Sequence, residues 1–218
     1  MILAELEKQE KEAYEIYRQW ADQLSLLRQT KATELEGYVL RECRDLYLEK
    51  AQFRIVFNET TDSSTGYDEV EFLVSMNPGE LVKPLVKVAS GGELSRLMLG
   101  LKVIFNDLQQ IDTVIFDEID AGVSGRVATA IGQKMHKIAK NSQVFSVTHL
   151  GQVAACAAQH YLVSKAQGTD ATTTTIALLT YPDRVRELSL ISTGTDSDHS
   201  INAAKELLDT LQAQVSTL

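Results

Sequence analysis

The sequence predicts an α/β chain in which parallel strands alternate with helices, with an antiparallel hairpin and one long helix ahead of them. Three observations carry this. Residues 3–50 contain no Pro and a single Gly, with apolar residues at three- and four-residue steps. Residues 53–58 and 69–75 alternate apolar and polar side chains with period two. Residues 113–116 and 144–147 are short apolar runs joined by a stretch with helical periodicity, the pattern of a parallel crossover unit.

The long helix comes first. Leu3, Leu6, Ala13, Tyr17, Trp20, Leu24 and Leu27 form a stripe interrupted only by Glu10, and Leu35, Val39, Cys43 and Leu46 continue it loosely. Such a stripe demands a partner: either the core of the same domain or a second helix in a coiled coil. The organisation expected is a coiled-coil stub over 1–50 and a lobe over 51–218. The polar residues 59–67 read as a long mobile loop between two antiparallel strands, and Pro78, Gly79 and Pro84 break regular structure after them. Leu94, Leu97, Met98, Leu101, Ile104 and Phe105 predict a helix over 93–108. A strand over 113–116 follows, then a helix over 125–140 with Val127, Ile131, Met135 and Ile138 inward, and a strand over 144–147. A short helix over 153–158, strands over 161–164 and 173–179, and a final amphipathic helix over 200–218 complete the chain.

Bulk properties exclude several classes. An apolar content of 44% in 218 residues supports one sizeable core. The net charge of -9 argues against a surface that is basic throughout, and no basic stripe stands out. Cys43 and Cys156 lack metal or disulfide spacing, which fits a reducing cytoplasm. No apolar run reaches the ~20 residues that span a bilayer, so no membrane partner is expected.

Chemistry concentrates in three places. Ser90, Gly91 and Gly92 stand at a predicted helix N-terminus, where free N–H groups, a hydroxyl and the positive end of the helix dipole suit a phosphate. Ser90 with Glu93 three residues on is equally a plain capping box. Asp117 and Glu118 end an apolar strand, where one carboxylate can hold Mg²⁺ and its neighbour can deprotonate water, provided the chain turns, as Asp120-Ala121-Gly122 allows. They also suit a helix cap. His149 ends the next strand and can donate to a γ-phosphate or hold the attacking water, although a lone His is commonly structural. His136, His160 and His199 read as surface residues.

Taken in order, the Ser-Gly-Gly-Glu run, the strand ending in Asp117-Glu118, the Asp-Ala-Gly turn and the strand ending in His149 resemble the second half of an ABC-type ATPase head. Residues 88–96, 115–126, 148–154, 163–165 and 184–188 are further similar to the RecN family of bacterial DNA-repair proteins, relatives of the SMC proteins, and the similarity covers essentially the whole chain as a C-terminal half. The resemblance implies that Ser90, Gly91, Gly92 and Glu93 form a signature motif facing the γ-phosphate on an opposite protomer. It makes Asp117 the metal ligand, Glu118 the general base, Asp120 part of the D-loop and His149 the switch histidine. ATP and Mg²⁺ are then expected only in a complete head dimer, with DNA as partner of the full-length protein. No glycine of this chain precedes a lysine, so the phosphate-binding loop is lacking. An N-terminal half is expected to supply it, and the chain alone is expected to be inactive. Two other readings stay open: a head lobe of another SMC-like repair ATPase, or a non-catalytic assembly module acting through the stripe of residues 3–27.

Overall fold

A computed structural model describes residues 2–88, 91–117, 119–167 and 172–218, with the backbone alone at 107 and 167. The chain forms two compact units, residues 1–44 with 48–89 and residues 45–47 with 90–218.

The first unit is built on helix α1 (Ile2–Asp45), 44 residues long, or about 66 Å at 1.5 Å per residue. Strands β1 (Gln52–Ser63) and β2 (Gly66–Ser75) form an antiparallel hairpin, and β3 (Lys83–Pro84) pairs with β2. The stretch 59–67 is thus mostly strand, with a turn at residues 64–65. Its polarity is consumed by specific bonds: the Ser63 hydroxyl donates to Gly66 O at 2.6 Å, and Gly66 adopts a positive φ of 89° that closes the turn. Other polar groups of the hairpin reach α1. Ser25 donates to Asp68 at 2.8 Å, Arg28 to Asp68 at 3.1 Å, Tyr67 to Asp22 at 2.8 Å, and the Ile55 N–H to Glu36 at 2.6 Å.

Helix α1 divides along its length. Ala21, Ser25, Ala32, Val39 and Cys43 are buried at four- and seven-residue spacing, whereas Leu3, Leu6, Trp20 and Leu27 of the predicted stripe are exposed. The buried face is therefore rotated from the stripe, because the hairpin bonds to the side that carries Asp22, Ser25 and Arg28.

The second unit holds the parallel crossover. Helix α2 (Gly92–Gln109) leads to β4 (Thr113–Asp117), α3 (Gly125–Ile138) and β5 (Gln143–Val147), and β4 and β5 pair in parallel with Asp117 opposite Val147. Leu99, Val114, Phe116, Ile119, Ala128, Ile131 and Met135 pack together as its core. Five further elements follow: α4 (Gly151–Cys156), the antiparallel hairpin of β6 (Tyr161–Gln167) and β7 (Thr172–Leu178), α5 (Tyr181–Thr193) and α6 (Asp198–Val215). Val185, Leu188, Ala204, Leu208 and Leu211 join α5 and α6 to α4 in a second cluster. Among the described residues no helix is long and apolar enough to cross a membrane.

Candidate functional site

Asp117 stands exposed at the end of β4, and β5 ends directly opposite. The sheet beneath them is covered on one side only. Val114 and Phe116 are buried, while Ile115, Phe145 and Val147 on the Asp117 face are 71, 48 and 58% exposed. The loop after β4 returns inward: Ile119 is buried, and Asp120 is fully buried at 0% exposure. Asp120 Oδ2 accepts a short hydrogen bond from the Thr148 hydroxyl, which itself accepts from the Leu150 N–H at 3.0 Å. The Asp120 carboxylate thereby fixes the loop to the end of β5, just before His149. His149 is largely exposed, with Nδ1 3.9 Å from Asp120 Oδ1, and that buried oxygen has no hydrogen-bond partner among the described residues. A buried carboxylate oxygen without a donor is costly, and the His149 ring is the nearby group that could serve it.

The glycine pair lies close by. Gly91 is the N-cap of α2 in an extended conformation, and among the described residues no side-chain hydrogen bond caps the helix, whose first N–H groups would suit an anion. A Cβ on Gly92 would stand 3.1 Å from Ala121 O, so the glycine lets the start of α2 touch the loop that holds Asp120. Glu93 falls in the first turn of α2. Arg96 donates from Nε to Gly92 O at 3.2 Å and from Nη1 to Leu46 O at 3.1 Å, tying the helix start to the residue that follows α1. Ser90 and Glu118 lie outside the described residues. Among the described residues no cluster of three His, Cys, Asp or Glu side chains could hold a metal by itself. The chemistry of exposed Asp117 fits Mg²⁺, which takes one or two protein carboxylates and keeps waters or phosphate oxygens as its other ligands.

Two histidines are not surface residues. His136 Nδ1 sits 3.1 Å from Cys156 O, and half-buried His160 has its pKa pushed below the usual value by burial and by the neighbouring Arg184. The sequence reading also passed over α5. Thr180 bonding to Asp183, Pro182 in the first turn and Gly194 at the C-cap with φ 73° are its start and stop signals. Its buried Arg184 donates to Ala154 O at 2.8 Å and Ala155 O at 3.2 Å, and also to Ala157 O, satisfying the last carbonyls of α4.

The fold defines a class: it is that of the C-terminal lobe of an ABC/SMC-type ATPase head, preceded by a long helix. Among solved structures, the chain is similar to an Smc head domain with a coiled coil and joint derived from Pyrococcus yayanosii, with a TM-score of 0.57 and 18% identity over 74% of this chain and 29% of that one. It is also similar to an SMC ATPase solved in a study of ATP-driven dimerization and DNA-stimulated activation, with a TM-score of 0.51 and 16% identity over 79% of this chain and 98% of that one. No protein-family model matches the chain. The particular protein it is similar to is the DNA repair protein RecN. It is 45% identical to RecN of Halalkalibacterium halodurans over 85% of this chain and 34% of that protein. For Bacillus subtilis RecN the values are 42%, 86% and 36%, and for Rickettsia conorii RecN 39%, 94% and 38%. The chain thus spans about a third of the length of the curated relatives it matches.

Proposed function

We propose that this chain is the C-terminal part of an SMC-like ATPase of DNA double-strand-break repair and recombination, acting in the cytoplasm, with its nucleotide site completed by an N-terminal half. The observation that carries the reading is the half-covered β4–β5 sheet. Ile115, Phe145 and Val147 present an apolar face to solvent beside Asp117, at the strand ends where ligands gather in parallel sheets. A second lobe carrying the phosphate-binding loop fits there.

In the completed head Asp117 would hold Mg²⁺, which when bound draws charge from the phosphates of ATP. Glu118 takes a proton from the attacking water, and His149 orients that water or donates to the γ-phosphate. Asp120 places the D-loop from its buried anchor at Thr148. Ser90, Gly91, Gly92 and Glu93 bring a helix N-terminus and glycine backbone to the nucleotide of an opposing head, so that ATP joins two heads and its hydrolysis parts them. The test is to add the N-terminal half in trans and measure Mg-dependent phosphate release. Activity that is absent from the isolated chain, appears in the pair and vanishes in Glu118→Gln supports the assignment; a folded but inert pair overturns it.

A second reading, an assembly module, draws on exposed Leu3, Leu6, Trp20 and Leu27 along α1. Light scattering separates the two: self-association of the chain that is lost on deleting residues 1–50 supports it, and a monomer throughout removes it.

A further inference from the structure

We propose that the outward face of α3 binds the phosphate backbone of double-stranded DNA. The proposal rests on the reading of the chain as part of a DNA-repair ATPase, and places the DNA contact on a surface separate from the nucleotide residues.

The first observation is charge segregation. Residues 121–169 contain no Asp or Glu, yet hold five of the 21 Lys and Arg residues: Arg126, Lys134, Lys137, Lys140 and Lys165. The rest of the chain therefore carries all 30 acidic residues. Net charge hid a basic region that the linear reading did not resolve.

The second observation is how α3 distributes that charge. Ala128, Ile131, Gly132, Met135 and Ile138 are its buried residues, while Arg126 and Lys137 are exposed. At 100° per residue, positions 126, 130, 133 and 137 fall on the face opposite to the buried one. This face lines a cleft of about 490 Å³ that includes Arg126, Ala130, Gln133, Lys134 and Lys137. Asp45 supplies the one carboxylate side chain in the lining and is paired with Lys134 at 2.7 Å. Arg126 and Lys137 have no ion-pair partner among the described residues. None of Gly91, Gly92, Glu93, Asp117, Asp120 and His149 lines the cleft.

The geometry selects the ligand. Arg126 and Lys137 lie three turns apart, about 17 Å along the helix, so they address several phosphates in a row and do not converge on one. A duplex offers a charge every ~1.7 Å of axis to such a row. Tyr47 is the one aromatic in the lining, so there is no platform for stacking the unpaired bases of a single strand. With Gln133 the one neutral amide, binding is through phosphates and indifferent to sequence.

The test is fluorescence anisotropy of a labelled random-sequence duplex of about 30 base pairs (several helical turns), titrated with the 218-residue chain across a salt series. The double variant Arg126→Glu/Lys137→Glu is expected to bind at least about tenfold more weakly and to lose about two from the slope of log affinity against log salt. Lys205→Glu, an exposed reversal on α6, keeps most of the affinity. The proposal is overturned if the parent chain fails to bind duplex at low salt or if the single strand of equal length binds more tightly. It is also overturned if the double variant binds like the parent while melting at the same temperature, or if Lys205→Glu loses as much. An inert reconstituted ATPase would defeat the reading of the head, yet leave this titration fully decisive for α3.

Discussion

Helices α4, α5 and α6 and the β4–β5 sheet belong to one unit but meet the demand for burial in opposite ways. The helical cluster closes on itself: Leu188 and Leu208 are fully buried, Arg184 accounts for the carbonyls at the end of α4, and Gln212 donates to Ala157 O at 3.0 Å as well. The sheet closes on one face and leaves Ile115, Phe145 and Val147 open on the other. Burying one such side chain yields roughly 1.5–3 kcal/mol. In the closed cluster that energy contributes to folding, whereas on the open face it is unrealised in the isolated chain. A core and an open apolar face are thus built from the same residue types, and what separates them is whether the chain supplies the second layer.

Breaking the open side should have the largest effect, and only in the complex. Phe145→Asp is expected to weaken capture of the N-terminal half by about a hundredfold, since a carboxylate replaces a buried ring, as titration calorimetry of the two halves can measure. In the closed cluster, Arg184→Ala leaves the ends of three carbonyls short of a charged donor and should lower unfolding stability by about 2–4 kcal/mol in urea titrations. Gly132→Ala should cost less, about 1–2 kcal/mol, because the new Cβ would meet Cys156 Sγ at 2.8 Å and Val153 Cα at 3.3 Å.

A pH series sharpens the contrast further. Burial pushes the Cys156 thiol up to about 11 from an ordinary 9.0, opposed by Arg184. A raised folded pKa means that the unfolded chain ionises first. Stability is therefore complete below 9.0 and declines as pH rises toward about 11. On the acid side, the lowered pKa of His160 means the unfolded chain takes up its proton first, so stability falls as pH drops below the usual imidazole value. Cys156→Ala should lessen the alkaline decline measured by urea midpoints at pH 8 and 10.5, the part that remains including that of the Cys43 thiol, which burial likewise raises to about 11. The smallest effect is expected for Ile115→Ser, which in the isolated chain should stay within about 0.5 kcal/mol of the parent because the position is already solvated.

Where one physical signal dominated, the sequence was legible. Helices α2, α3 and α6 and the parallel pair β4–β5 follow from periodicity, because each has one face in a core. The hairpin of the first unit was misjudged where its residues turn polar. Residues such as Asp68 and Tyr67 look like loop until their bonds to α1 are known, and those partners lie more than 40 positions away. Helix α5 was missed although its caps are written in Thr180, Pro182, Asp183 and Gly194, since its apolar spacing is weak. His136 and His160 were misplaced for a related reason: burial of a polar ring depends on what folds over it. The strand ends at Asp117 and before His149 were readable, while the inward turn of the Asp120 carboxylate toward Thr148 was not, since spacing is silent about side-chain direction.

One contact reaches further than its size suggests. Gly92 and Ala121 touch so closely that not even a methyl group fits between them without displacement. The start of α2 and the loop that carries Asp120 are therefore packed backbone to backbone at this point. A side chain at position 92 would have to push the Ala121 backbone aside by a few tenths of an ångström, which makes the spacing between the two loops a direct function of that glycine.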